Sequence, residues 1–370
     1  MLTELKIRGL KSKNKEYPTS DSNGLSIYTT SKGVKKWRYR YRFNRKASMI
    51  SLGKYPAVSL SEARKQRDIY QKALFDGINP KTYKDNHRKN QQNKIIDFSV
   101  SDDDLKFFKE NGFLYIKNYY DVDKVIVPLL RDIYKLINLV LADQNIFQKQ
   151  APFSIENFDK GLIESLTEDR NLARIIYDSV KKLPRFSALV NDFRNRDVAS
   201  VLLNTDFPGF ALRGYGARMD FPKDTYHKTP LHQDYIAQLC SPRGIVFWSP
   251  LRKMSRSLGP IVLYPGSHKA GIYPVKKGEK NDNYLKIKDS KLIESKYQSF
   301  SPELELGDMI ILDYLMLHKS SLNTSDKTRW SFLFRYFDFN EPIGKSYGWR
   351  GGDLEGNSFE EFHKDYVIPK

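Results

Sequence analysis

Gly307-Asp308-Met309-Ile310-Ile311-Leu312-Asp313, then His318, then Arg329-Trp330-Ser331-Phe332-Leu333-Phe334-Arg335-Tyr336: this stretch decides how the larger part of the chain folds. It reads as a turn, a short buried-type strand, a lone histidine and a second strand in which an arginine leads an aromatic run. From about residue 209 onward the same texture repeats, with short strands broken by Gly and Pro turns, the pattern of a β-sandwich or barrel. Upstream the pattern is helical. Ser101 followed by Asp102, Asp103 and Asp104 opens a helix with carboxylates at its positive end, and Asn111-Gly112 closes it. Phe113-Leu114-Tyr115-Ile116 reads as a strand, an amphipathic helix runs near 122–142, and shorter helical patterns fill 156–195.

The chain has six histidines: His87, His227, His232, His268, His318 and His363. Leu231-His232-Gln233-Asp234 sets His232 and Asp234 two residues apart, so an extended backbone points both to one side. One imidazole and one carboxylate on one face, with a distant second histidine, make the facial triad that holds non-haem Fe(II) and leaves positions open for co-substrate and O2. His318 or His268 could be that second histidine. His318 has Arg329 eleven residues on in strand context, whereas His268 falls in a Pro265-Gly266-Ser267-His268 turn. A fixed cation near the metal suits 2-oxoglutarate, whose far carboxylate calls for a bidentate guanidinium. Arg329 is the candidate; Arg335, an even number of residues on, shares its face and is either a competing anchor or a structural ion pair. Asp234 is a carboxylate rather than a small residue, which favours hydroxylation over halogenation.

Phe107, Asn111-Gly112-Phe113, His232-Gln233-Asp234, Ser257-Leu258-Gly259-Pro260, Pro265-Gly266-Ser267-His268 and His318, Ser320, Asn323, Arg329 follow one another in an order that resembles the phytanoyl-CoA dioxygenase family over about 98–340. That resemblance implies a mainly-β double-stranded β-helix (jelly roll) with flanking helices. It implies Fe(II) on His232, Asp234 and His318, which are also the catalytic centre, and 2-oxoglutarate on Arg329, with O2 as the other co-substrate. It further implies co-substrate contacts at Ser320 and Trp248. Two features depart from the family: Lys319 sits between the histidine and the serine, and Tyr235 sets a bulky side chain after the triad carboxylate, expected near the entrance.

The first quarter of the chain is different in kind. Residues 1–90 hold 22 Lys and Arg against 7 Asp and Glu, leaving 40 against 37 in residues 91–370. Such asymmetry suggests a polyanion-binding module on a nearly neutral larger domain. Leu25–Thr30, the run Lys36-Trp37-Arg38-Tyr39-Arg40-Tyr41-Arg42-Phe43 and Met49–Leu52 read as three strands. Period-2 alternation sends Lys36, Arg38, Arg40 and Arg42 to one face and the aromatics to the other. A helix follows, capped by Ser59 with Glu62 and closed at Gly77, with Ala63, Ile69, Ala73 and Leu74 set to pack on the aromatic face. With Ser51-Leu52-Gly53-Lys54-Tyr55-Pro56 and Ser59-Leu60-Ser61-Glu62-Ala63-Arg64, these residues resemble the arm-type DNA-binding domain of prophage tyrosine recombinases (integrases). The resemblance implies that the basic face meets DNA; a solvated basic face, or a folded relic of gene fusion, are the other readings. Recombinase chemistry is absent, because His318-Lys319-Ser320-Ser321 lacks the arginine of the required His-x-x-Arg.

The expected organisation is therefore a small α+β module (three-stranded sheet plus helix) in 1–85, a polar linker in 86–97 and an oxygenase domain in 98–370. The Lys-rich run 275–297 reads as an exposed insertion or lid. No apolar run reaches the roughly 18 residues of a membrane helix, no secretory signal opens the chain, and the single Cys240, read as core, fits a reducing cytoplasm. His87, His227 and His363 are expected in solvent. The expected function is hydroxylation of a C–H bond in a small metabolite. A DNA-directed oxygenase, with Tyr226, Tyr235 and Trp248 available to line a base pocket, and a DNA-binding regulator that senses 2-oxoglutarate without turnover, are the alternatives.

Overall fold

The computed structural model describes the chain except for residues 76, 85–98, 143–151, 164–170, 213, 226–227, 278–284, 353–354 and 369–370. It divides into two compact units, Met1–Lys94 and Ile95–Lys370. The expected linker at 86–97 lies outside the described residues, as do His87, His227 and Tyr226.

In the first unit a short helix, α1 (Glu4–Arg8), precedes an antiparallel sheet of β1 (Tyr17–Ser20), β2 (Leu25–Thr29), β3 (Lys35–Phe43) and β4 (Lys46–Tyr55), ordered as in sequence, and then α2 (Leu60–Phe75). The sheet has four strands, not the expected three. The extra strand β1 contains Pro18, which masks it in sequence and is tolerated because β1 is an edge. Alternation along β3 behaves as read: Trp37, Tyr39 and Tyr41 are buried, and the Trp37 indole N–H donates to the Val58 carbonyl at 2.9 Å. Leu60, Ala63 and Ala73 of α2 are buried with the sheet's Ile27, Ile50 and Leu52. Ile69, expected on that face, is instead half exposed, while Arg67 turns inward to donate to the Ser22 hydroxyl at 2.8 Å.

The second unit opens with α3 (Asp102–Asn111). Ser101 and Asp104 form a reciprocal capping box, and Gly112, at φ 80°, ends the helix in the left-handed region. After β5 (Phe113–Ile116), a π-helical turn at Val122–Ile126 leads into α4 (Val127–Ala142), followed by α5 (Asn171–Val180), α6 (Pro184–Val190) and α7 (Phe193–Leu202). Strands and short helices then alternate: β6 (Pro208–Phe210), β7 (Gly216–Asp220), α8 (Asp234–Gln238), β8 (Gly244–Pro250), β9 (Ile261–Leu263), β10 (Val275–Lys277), β11 (Leu285–Ile287), α9 (Ser290–Glu294), β12 (Met309–Asp313), β13 (His318–Ser320) and β14 (Arg329–Asp338). The C-terminal part adds α10 (Pro342–Ser346), α11 (Phe359–Phe362) and β15 (Val367–Ile368).

The main sheet is antiparallel in the order β5-β12-β8-β14-β6, with β7 also paired to β14. Its period-2 alternation sorts core from site. One face sends Trp330, Phe332 and Phe334 of β14, with Phe247 of β8 and Ile311 of β12, into a core shared with Ile133, Ile176, Phe186 and Val198 of the helices. Phe247 and Phe334 stack with ring centroids 4.6 Å apart. The other face carries Arg329, Leu333, Arg335, Trp248 and Leu312 into a cleft that Ile261, His318 and Ser320, from the two-stranded β9–β13 sheet, also line. The run 275–297 is not simply an exposed lid. Val275 and Ile287 pair in β10–β11, and both are buried, as is Ile293 of α9. No helix among the described residues is long and apolar enough to cross a membrane.

Candidate active site

The backbone brings His232 and His318 together before any side chain is considered. The His232 N–H donates to the His318 carbonyl at 3.0 Å and the His318 N–H to the His232 carbonyl at 3.1 Å. Gln233 is extended (φ −113°, ψ 134°), so His232 and Asp234 project to one side. The Gln233 side chain goes the other way, donating to the Gly271 and Leu315 carbonyls and accepting the Tyr273 N–H at 2.9 Å. His232 Nδ1 lies 2.9 Å from the Pro230 carbonyl, and His318 Nδ1 lies 3.0 Å from that of Met316. A carbonyl only accepts, so each Nδ1 carries a proton and Nε2 is the nitrogen each ring offers to a metal. One Asp234 oxygen accepts from Arg335 Nη2 at 2.7 Å and the other lies 3.4 Å from His318 Nε2. One ligand atom from each of His232, Asp234 and His318 falls within 4.8 Å of the others. Two imidazoles and a carboxylate on one side fit a divalent first-row metal and leave its other side open.

The electrostatics suit a cation. Burial would raise the Asp234 carboxyl, but the Arg335 guanidinium and the two imidazoles hold it well below the usual carboxylate range, so it is ionised. His232 has a ring edge within reach of solvent yet is enclosed on most sides; that enclosure, with His318 beside it, lowers its pKa to about 3. An unfolded histidine takes its proton near pH 6.5, and folded His232 does so only near 3. Its contribution is complete above about pH 6.5 and is lost as the pH falls toward 3. Urea midpoints of metal-free protein should decline between about pH 7.5 and 5, and His232→Asn should shallow the decline. An unchanged slope in the variant would contradict this assignment.

Arg329, at the start of β14, is 3% exposed. Its Nε and Nη2 donate to Asp220 Oδ2 at 3.0 and 2.7 Å, Nη2 also reaches Ser320 Oγ at 3.1 Å, and Nη1 donates to the Gly259 carbonyl. Ser320 and Trp248, both buried, line the same cleft. Arg218 and Asp220 on β7 were not singled out from sequence. Arg218 grips the same carboxylate, Nε at 2.9 and 3.0 Å from its two oxygens and Nη2 at 2.7 Å from Oδ1. Although burial works to raise it, these two arginines hold the Asp220 carboxyl below its ordinary value. Arg335 does share the cleft face with Arg329, and it ion-pairs with Asp234 at 2.7 Å.

Other candidates go elsewhere. His268 is outside the cluster, in a 3-10 turn at Ser267–Ala270, with Nε2 3.1 Å from the Lys109 carbonyl. Lys319 also lines the cleft, and its Nζ pairs with Glu294 at 2.7 Å. Tyr235 does not stand at an entrance. Asp234 starts the helical turn α8, and the fully buried Tyr235 is covered by the C-terminal segment, with its hydroxyl 3.0 Å from that of Tyr347 and 2.6 Å from His363 Nε2. His363 is accordingly half buried in this contact, not solvated. Cys240 is core, as read.

On the first unit, Arg40 and Arg42 of β3 are exposed, and Lys36 and Arg38 are partly so. Arg38 lies over the Tyr28 ring at 4.2 Å and pairs with Glu16 at 3.2 Å.

Comparison with known proteins divides the chain the same way. The model of the phytanoyl-CoA dioxygenase family matches residues 108–331, and that of the Arm DNA-binding domain matches residues 2–87. The peroxisomal phytanoyl-CoA dioxygenase of Mus musculus is 26% identical over 243 residues, covering 60% of this chain and 64% of that protein. The prophage integrase IntS of Escherichia coli (strain K12) is 39% identical over 80 residues, 22% of this chain; the chain spans only 21% of that integrase. The crystal structure of EctD from S. alaskensis with bound Fe is similar at a TM-score of 0.44 and 16% identity, over 66% of this chain and 79% of that one.

Proposed function

The chain belongs to the phytanoyl-CoA dioxygenase family, and from that premise we propose that it is an Fe(II)- and 2-oxoglutarate-dependent dioxygenase that hydroxylates a C–H bond of a small molecule. The larger unit is read as a double-stranded β-helix, its main sheet and the β9–β13 pair forming the two walls of the cleft. His232, Asp234 and His318 hold Fe(II), Arg329 and Ser320 receive the distal carboxylate of 2-oxoglutarate, and Trp248 packs beside it. Bound there, iron and 2-oxoglutarate supply the oxidising chemistry, in which O2 converts the co-substrate to succinate and CO2 and a substrate C–H to C–OH.

The chain's own residues set the conditions. The Pro230 and Met316 carbonyls hold both imidazoles by Nδ1 and so turn each Nε2 toward the metal position. Arg335 holds one carboxylate oxygen of Asp234 and directs the other inward. Val246, Leu312 and Leu333 give the cleft apolar walls that exclude water from the oxidation.

The observation that carries this reading is the convergence of one carboxylate and two imidazoles, one ligand atom from each within 4.8 Å of the others. Anaerobic titration with Fe(II) and then 2-oxoglutarate tests it. A metal-to-ligand charge-transfer band in the visible is expected; its absence from metal-replete protein would refute the reading.

The exposed Arg40 and Arg42, in a module matching the Arm DNA-binding domain, favour DNA as a second partner. Replacing both by Ala should weaken binding to duplex DNA and flatten the dependence of log K on log salt by about 2, roughly 0.9 per lost phosphate contact. Turnover of 2-oxoglutarate with a small substrate should not change. An unaltered salt slope would remove these two residues from the interface, and loss of turnover would favour a DNA-directed oxygenase instead.

A further inference from the structure

Asp220 poses a problem for the anchor. It faces Arg329 directly in the β7–β14 register, and the two alone would form a closed, neutral, buried ion pair. Nε and Nη2 of Arg329 are committed to Asp220, and Nη1 to the Gly259 carbonyl. A carboxylate entering the cleft would meet a guanidinium whose charge is already cancelled. Arg218 alters that balance. It lies two residues before Asp220, projects to the same face, lines the cleft and binds both oxygens of the same carboxylate. The group Arg218–Asp220–Arg329 thus carries two positive charges and one negative.

Resting on the reading of the cleft as a 2-oxoglutarate site, we propose that Arg218 is a positioning residue for the co-substrate: by sharing Asp220 it leaves Arg329 a net positive partner, whose charge the distal carboxylate of 2-oxoglutarate completes. Arg218 acts through Asp220. Without it, Asp220 belongs to Arg329 alone and competes with the co-substrate. With Asp220 also neutralised, Arg329 is released again. The effect is confined to ligands with a distal carboxylate, because the keto-acid end is held at the metal.

The test uses the full chain loaded with Mn(II) as a non-turnover metal, with calorimetric titration of two probes. One is 2-oxoglutarate; the other is 2-oxopentanoate, which has the same chelating end and no distal carboxylate. Arg218→Gln should weaken 2-oxoglutarate on the order of 10- to 100-fold, as expected for one charge a few ångströms away in a partly buried site, and leave 2-oxopentanoate within about twofold of the unaltered protein. Arg218→Lys should recover most of the loss, and Arg218→Gln with Asp220→Asn should recover it through Arg329. Unchanged 2-oxoglutarate binding in Arg218→Gln, equal weakening of both probes, or no recovery in the double variant would each overturn the proposal. If the unaltered protein binds Mn(II) but neither keto acid, the co-substrate reading itself fails, and this inference falls with it.

Discussion

Asp234→Asn should cost the protein its metal and all coupled turnover, the largest effect expected of any single change. The amide keeps the shape of the side chain and an acceptor for Arg335 Nη2, now at 2.7 Å. It removes the one anionic ligand from a set whose other members are imidazoles. Second-shell changes alone commonly weaken metal sites 10- to 100-fold, so loss of a charged ligand should exceed about 100-fold. Competition against a chromophoric chelator measures this, and a variant that retains stoichiometric Fe(II) would remove Asp234 from the ligand set. The same change leaves the buried Arg335 without its counter-charge. Breaking a buried pair by neutralising one partner costs about 3 kcal/mol or more, so the metal-free variant should unfold at lower urea as well.

Arg329→Ala should act on the co-substrate and spare the fold. The variant removes the guanidinium that Ser320 Oγ and Asp220 share, but Asp220 keeps its bidentate partner Arg218, so no buried carboxylate is stranded. Loss of charge-assisted hydrogen bonds to a carboxylate is worth about 3 kcal/mol, a little over 100-fold in affinity. Because that carboxylate is remote from the reacting atoms, the expected signature is a raised KM for 2-oxoglutarate with kcat largely restored at saturation. A fall in kcat at saturating co-substrate, with KM unchanged, would assign Arg329 another role.

What the sequence could and could not disclose follows from the range of each signal. Local periodicity revealed β3, whose cations and aromatics separate residue by residue, and the Ser101–Asp104 cap, which acts within a single turn. The His232, Asp234 and His318 cluster was readable because a metal needs rare residue types, and six histidines leave few combinations. Arg218 and Asp220 were not, since Gly216-Ala217-Arg218-Met219-Asp220 is an ordinary strand until its register with β14 is known. Pro18 concealed an edge strand. Tyr235 and His363 were misplaced for one reason: they lie 128 positions apart and are joined by the docking of a C-terminal segment that leaves no local mark.

The reciprocal backbone hydrogen bonds between His232 and His318 also bear on how the protein lives with a fluctuating metal supply. In a small zinc-dependent domain, ion and fold arrive together, and stripping one destroys the other. Here peptide groups hold the two imidazoles in register whether or not an ion is present, so emptying the site should be reversible on a timescale shorter than unfolding. A ready-made pair of nitrogen donors is equally open to Zn(II), Ni(II) or Cu(II), which bind such ligands more tightly than Fe(II). Chemical preference therefore does little to guard the site, and the fraction of active enzyme should track which free metals the surroundings provide.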